Sequence, residues 1–272
     1  MPLLTKHQAS GGSRWALDGR LLAEDFQLAR LLELPAAEMP DLLRASAGRE
    51  AADGALLAPV EASSEVWAAG VTYLRSREAR EAESTVKDVY SKVYDAERPE
   101  LFFKAPGWRV AGHGTPIRIR RDSRWNVPEP ELTLVVNARG EIAGFCAGND
   151  VSSRDIEGEN PLYLPQAKVY NGSCALGPGI SLCAAEALRD LTIDLVVRRG
   201  GRAIFTGGTR TSQLKRPLQE LVDYLRRELD FPHGVFLMTG TGVVPPDDFS
   251  LAPGDVVRIT IGELTLKNEV GP

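Results

Sequence analysis

Long apolar runs are missing from this 272-residue chain: none exceeds a handful of residues, far short of the roughly 20 that a membrane-spanning helix needs. No membrane span is therefore expected. The first fifteen residues, MPLLTKHQASGGSRW, hold no apolar block of the signal-peptide kind, so a cytoplasmic location is expected. Cysteine is scarce as well. Cys146, Cys174 and Cys183 form an odd set without CxxC spacing, which excludes a disulfide framework and a zinc ribbon and leaves buried or incidental thiols. Lys and Arg form no concentrated tract, and 37 acidic against 32 basic residues give a formal charge of -5. That lacks the electrostatic footprint of a nucleic-acid binder. The nearest basic run, residues 118–121 with Arg124, reads as a solvated strand face. Histidine occurs only at His7, His113 and His233.

What is present is an ordinary globular composition, 43% hydrophobic and 25% charged, on a chain long enough to bury a sizeable core. Residues 1–62 are rich in Ala, Leu and acidic residues, with short helical patterns at residues 21–32 and 39–46, and read as a small N-terminal subdomain. Residues 63–272 are dominated by β-branched alternation and glycine turns, as in TPIRIRR, ELTLVVNARGEIAGFCAG, LTIDLVVRRGGRAIFTGG and GDVVRITIGELTLKNEV. Two helices are predicted to interrupt them. One covers residues 75–87, a charged stretch with little apolar content that suits a flap over a site. The other follows Pro217, where Leu218, Leu221, Val222, Leu225 and Leu229 recur at helical spacing. The expected fold is α+β and β-rich, built on twisted, largely antiparallel sheets.

The segment Pro128-Glu129-Pro130-Glu131-Leu132-Thr133-Leu134-Val135-Val136 carries the chemistry. On an extended backbone Glu129 and Glu131 share one face, while Leu132, Leu134 and Val136 fill the other. Proline between them cannot donate a ladder hydrogen bond, which places this end at a sheet edge or a strand entrance. A hairpin turning on Arg139-Gly140 pairs residues whose numbers sum to about 279 and sets Asp150 opposite Glu129. Three carboxylates then converge, an arrangement that a divalent cation relieves of its repulsion. Oxygen donors without His or Cys select a hard ion, Mg²⁺ before Mn²⁺ or Ca²⁺. Spacing alone leaves this reading level with a solvated acidic strand edge.

The pieces Gly70-Val71-Thr72-Tyr73, PELFFKAP (99–106), EPELTLVV, GNDVSSRDIE (148–157), Lys168 followed by LGP (176–178), and MTGTGVVPP (238–246) occur in this order over about residues 64–272. Together they resemble the fumarylacetoacetate hydrolase family. The resemblance implies a mixed β-sandwich roll, Glu129, Glu131 and Asp150 as Mg²⁺ ligands, Lys168 as the family lysine, and Thr241 as a contact to the carboxylate or oxo end of the substrate. The family's carbon-carbon hydrolases carry GxNYxxHxxE, whose histidine and glutamate activate water; here those two positions are Ser76 and Ala79, and Glu157 stands where they have glutamine. His113, in a Gly-His-Gly turn, reads as a loop residue rather than a base.

Without a water-activating dyad, the GVTY segment, RPELFFK and SSRDIEGENPLYLPQAKVY resemble the family's dehydratase branch. That implies loss of water from a 2-keto-3-deoxy sugar acid, 2-keto-3-deoxy-D-arabinonate to 2,5-dioxopentanoate, through a metal-stabilised enolate formed by removal of a C3 proton. Lys168 is the first candidate for proton transfer, its pKa expected to fall beside a dication, and Glu100 is the second, with acid and base unassigned. An acylpyruvate hydrolase or oxaloacetate decarboxylase is the rival enzyme, and a keto-acid-binding module the rival without catalysis. The expected partner is a small 2-keto acid, with neither nucleic acid nor membrane, and the resemblance implies a homodimer or homotetramer.

Overall fold

Period-two alternation of apolar side chains builds the centre of the molecule. The computed structural model describes residues 1–83 and 92–272, and its strands are β1 (Leu3–Ala9), β2 (Gly12–Leu17), β3 (Arg20–Leu22), β4 (Ala47–Ala51), β5 (Glu65–Gly70), β6 (Glu100–Pro106), β7 (Asn126–Val127) and β8 (Pro130–Val136). They continue with β9 (Ile142–Asp150), β10 (Ser152–Ser153), β11 (Cys174–Leu182), β12 (Thr192–Arg199), β13 (Arg202–Arg210), β14 (Val235–Met238), β15 (Val256–Ile261) and β16 (Leu264–Glu269). Helices are α1 (Leu28–Glu33), α2 (Met39–Ala45), α3 (Leu74–Glu83), α4 (Arg154–Glu159), α5 (Leu164–Lys168) and α6 (Leu218–Leu225).

A ten-stranded sheet runs in the order β4-β3-β2-β1-β11-β9-β8-β14-β5-β6, and a four-stranded sheet in the order β13-β12-β15-β16. The large sheet is mixed, because β14 runs parallel to β5 while β8, β9 and β11 pair antiparallel. Leu132, Leu134 and Val136 of β8, with Phe145 and Ala147 of β9, face the small sheet and pack on Ile193 and Leu195 of β12 and on Val257 and Ile259 of β15. The alternate residues Val135, Cys146, Phe236 and Met238 cover the opposite face beneath α1 and α2. Both faces of the central strands are therefore apolar, apart from the end of β8 and β9 where the acidic residues begin.

Several sequence expectations are corrected. The 21–32 helical pattern is a strand followed by a helix that starts only at Leu28. Asp18 and Gly19 form a two-residue hairpin loop with φ of 48° and 77°, a geometry that Asp-Gly adopts readily, and it turns β2 into β3. Residues 1–62 thereby add four strands to the large sheet, β1 pairing with β11. The TPIRIRR segment has no ladder beyond a bridge from Ile117 to Val270, so the basic run is loop rather than strand face, with Arg120 paired to Asp122. The 75–87 helix is present as α3, and its last expected residues fall in 84–91, outside the described residues. Among the described residues no helix is long and apolar enough to cross a membrane.

The apolar stripe after Pro217 ends sooner than its spacing suggests. Leu221, Val222 and Leu225 are buried on α6, whereas Leu229 lies past the helix end and is 41% exposed. Leu225→Ala should therefore cost about 2–5 kcal/mol of unfolding free energy, and Leu229→Ala less than about 0.5 kcal/mol. Denaturant titration of the two variants checks the difference; equal losses would contradict this helix boundary.

Candidate active site

The β8–β9 hairpin turns on Asn137, whose side-chain oxygen accepts from the backbone N–H groups of Arg139 (3.0 Å) and Glu141 (2.8 Å), and on Gly140 at φ 82°. Asn and Gly are the residues that tolerate such a turn. Its register pairs Pro130 with Asn149 and Glu131 with Gly148, and Asp150 N–H donates to the Glu129 carbonyl at 3.0 Å. This is the pairing expected from the turn. Pro130 is the first residue of β8, which lies inside the sheet between β9 and β14, so the proline marks a strand entrance and not a sheet edge.

Glu129, Glu131 and Asp150 each offer a carboxylate oxygen, and these three atoms lie within 4.8 Å of one another. All three side chains are buried, which removes the reading of a solvated acidic edge. Glu129 is the most heavily neutralised. One of its oxygens accepts from Arg80 Nη2 at 2.7 Å and from the Arg154 guanidinium, and the other accepts from Lys168 Nζ at 2.7 Å. Lys168 also reaches Asp150 Oδ2 at 3.0 Å and Ser152 Oγ at 2.6 Å, while the fully buried Lys104 pairs with the second Asp150 oxygen. Glu131 accepts from the Gly240 N–H at 2.7 Å and has no ion pair among the described residues.

The charges follow from this arrangement. Burial, reinforced by Asp150 and Glu129, pushes the Glu131 carboxyl well above the ordinary carboxylate range. Burial also raises Glu129, although Lys168 and Arg80 oppose it. Three oxygen donors, one of them a buried acid with no ion pair among the described residues, fit a hard divalent ion and suit neither zinc nor copper. The loop requires glycine at position 240: its φ is 87°, and a Cβ there would lie 2.1 Å from Thr72 Oγ1.

Glu100 stands at the start of β6 opposite Gly70 of β5. A Cβ on Gly70 would meet Glu100 Oε2 at 2.0 Å, so glycine makes room for this carboxyl. Burial and the nearby Glu157 and Glu129 charges, against Lys168 and Arg80, push Glu100 up to about 7. Val71, beside it, has φ 52°, a strained conformation for a β-branched residue that is kept at the wall of this cavity. Thr241 lines the cavity too, and its hydroxyl bonds the backbone of Val243.

Lys168 is held as an ammonium in the metal-free site. Burial works against its ammonium, but Asp150, Glu129 and Glu157 outweigh that and hold the pKa well above the ordinary lysine value. The lowering expected beside a dication concerns the metal-loaded site, where these three carboxylates oppose it. Sequence reading missed Arg80, Lys104 and Arg154. Lys104 sits at a β-bulge, where the β5–β6 pairing skips one residue between Val66 and Trp67, and a bulge of this kind re-aims a side chain. Arg80 lies on the inward face of α3, where its polar character made the helix look weakly packed.

The fumarylacetoacetate (FAA) hydrolase C-terminal family matches residues 65–271. The chain is 50% identical over 214 residues to a probable 2-keto-3-deoxyxylonate dehydratase of Haloferax volcanii, covering 78% of this chain and 73% of that one. It is 44% identical over 206 residues to a 2-dehydro-3-deoxy-D-arabinonate dehydratase of Saccharolobus solfataricus, covering 74% and 69%. A solved 2-keto-3-deoxy-D-arabinonate dehydratase, complexed with magnesium and 2,5-dioxopentanoate, superposes with a TM-score of 0.80 at 34% identity over 100% of this chain and 99% of its own.

A carboxyl whose folded pKa is raised contributes stability below its unfolded pKa and loses it as the pH climbs through the folded value. Metal-free protein should thus lose stability with rising pH as Glu131 ionises, and a bound dication should restore it. Saturating Mg²⁺ is expected to raise Tm by about 5 °C or more at pH 8.5 and by less at pH 6. Glu131→Gln, which keeps the Gly240 hydrogen bond, should leave metal-free Tm equal or higher and remove the Mg²⁺ response. Differential scanning calorimetry checks both; an undiminished Mg²⁺ response in Glu131→Gln would contradict the assignment.

Proposed function

The chain belongs to the fumarylacetoacetate hydrolase family, and on that footing we propose that it is a magnesium-dependent hydro-lyase of a 2-keto-3-deoxy sugar acid, converting 2-keto-3-deoxy-D-arabinonate to 2,5-dioxopentanoate. One observation carries the choice of reaction. The acidic triad shares a cavity with Lys168 and Glu100, and the histidine of a hydrolase is replaced there by Ser76. The Ser76 hydroxyl donates to Tyr73 O at 2.7 Å and is tied into the first turn of α3. All three histidines are engaged elsewhere: His7 with Gly54, His113 with Thr265 and His233 with Glu33. Among the described residues the cavity lining holds no water-activating His–Glu dyad, which weighs against the acylpyruvate hydrolase reading.

A dication held by Glu129, Glu131 and Asp150 would supply Lewis acidity to the 2-keto group, which acidifies the C3 hydrogens. The chain's own groups then move protons. Glu100, poised near neutrality, takes the C3 proton, since a base works best with a pKa close to the working pH. Lys168, held as an ammonium by its carboxylate neighbours, donates to the departing C4 hydroxyl, which leaves as water. Isomerisation through C5 gives the aldehyde. Thr241, on the cavity wall, is placed to hold the oxo-acid end of the substrate.

The same reading puts the reaction in carbohydrate catabolism and in the cytoplasm, where the free thiols Cys146, Cys174 and Cys183 stay reduced. Assembly as a homodimer or homotetramer rests on the family resemblance. Groups tuned for proton transfer next to the triad weigh against a module that merely binds keto acids.

Purified protein with Mg²⁺ should convert 2-keto-3-deoxy-D-arabinonate to a product lighter by one water, followed by mass spectrometry. Glu129→Gln and Asp150→Asn should each lower turnover by about 100-fold or more, in line with loss of a group that acts in the transition state. Release of pyruvate from acetylpyruvate, with no aldehyde formed from the sugar acid, would assign the site to hydrolysis. Activity retained in both variants without metal would defeat the proposal. Glu100→Gln should lose most of kcat while still binding Mg²⁺, as measured by calorimetry.

A further inference from the structure

Buried cations already crowd the site before any metal enters. Among the described residues, the three converging carboxylates and Glu157 face four buried cations, Arg80, Lys104, Arg154 and Lys168. Glu157 stays ionised: burial raises it, but Lys168, Arg80 and Lys104 hold it below the ordinary carboxylate range. A dication adds positive charge to a site already lined with cations, and a keto-acid anion offsets part of it. Cations that now lean on Glu129 must share it with the metal, and their remaining partners differ. Lys168 keeps Asp150 and Ser152, and Arg154 keeps Glu157 at 3.3 Å.

Arg80 is the cation carried by α3, the helix that supplies the cavity with Ser76 as well. Its two ends are bound differently. Nε faces Glu157 at 3.6 Å, and Nη2 donates to Glu129 at 2.7 Å. The first contact can persist while the second is given up. We propose that Arg80 is a two-position cation, neutralising Glu129 when the site lacks metal and, once a dication takes Glu129, pivoting on Glu157 to donate its Nη edge to the carboxylate of the keto acid.

A planar guanidinium matches a carboxylate in geometry as well as charge, which an ammonium does not. The pivot also explains Glu157 at the glutamine position of the hydrolases, because a neutral amide offers no charge to retain Arg80 once Glu129 is engaged. In this arrangement Arg80 competes with the metal and recruits the substrate.

This inference rests on the keto-acid reading of the site, and the two can be separated with Mg²⁺ and pyruvate as probes in titration calorimetry. Arg80→Met, having lost the competitor, should bind Mg²⁺ alone about threefold or more tighter than wild type. In saturating Mg²⁺ it should bind pyruvate about ten- to 100-fold more weakly, the loss expected for a hydrogen bond to a charged group. Arg80→Lys should fall between the two for pyruvate. A purely structural role for Arg80 predicts weaker Mg²⁺ binding in Arg80→Met, and that result, unchanged Mg²⁺ affinity, or unchanged pyruvate affinity overturns the proposal. If Arg80→Met proves unstable, Arg80→Lys must still lower pyruvate affinity without lowering Mg²⁺ affinity. Wild-type protein that binds both probes yet forms no aldehyde from the sugar acid would defeat the dehydratase reading and leave the role of Arg80 standing.

Discussion

Three carboxylates held within 4.8 Å of each other and out of water repel, and the rest of the site is organised around that cost. Burial weakens dielectric screening, so each ionised oxygen raises the proton affinity of the others. The protein relieves part of the strain with Lys168, Lys104, Arg80 and Arg154, which lie on Glu129 and Asp150. Glu131 is left with a backbone N–H, and it is there that a divalent ion has most to offer. The acids are held at the end of adjacent central strands that have apolar side chains on both faces.

The other ionisable groups of the cavity arrive on other elements. Glu100 enters on β6 across from a glycine that clears its carboxyl, Lys168 ends α5, and Arg80 comes from α3. Neighbouring segments thus deliver the groups that surround the acidic triad, and α3 carries the positions where the hydrolases have their water-activating pair. Here Ser76 and Ala79 fill those places, and the solved relatives named for dehydration of a deoxy keto acid share the whole fold.

Much of the centre was legible because its determinants are local. Asn137 and Gly140 specify the turn, the turn sets the register, and the register brings Asp150 beside Glu129. Alternation on β8 then separates the acids from Leu132 and Leu134. Other features depend on contacts between distant segments and leave little local trace. A bulge on β6 aims Lys104, and a charged helix conceals the inward placement of Arg80. The direction of the Lys168 shift depends on counting every carboxylate in its shell. At the N-terminus a local signal was present but outweighed: Asp18-Gly19 demands a hairpin, while the leucines after it suggest a helix.

Placement of a dication by Glu129, Glu131 and Asp150 is tested most directly by anomalous diffraction from a crystal soaked in Mn²⁺ as a stand-in for Mg²⁺. The account predicts a single strong peak about 2.0–2.3 Å from one oxygen of each of these three side chains, with coordination positions remaining for a keto acid. A peak elsewhere, or none while Lys168 and Arg80 still cap Glu129 at saturating metal, would contradict it.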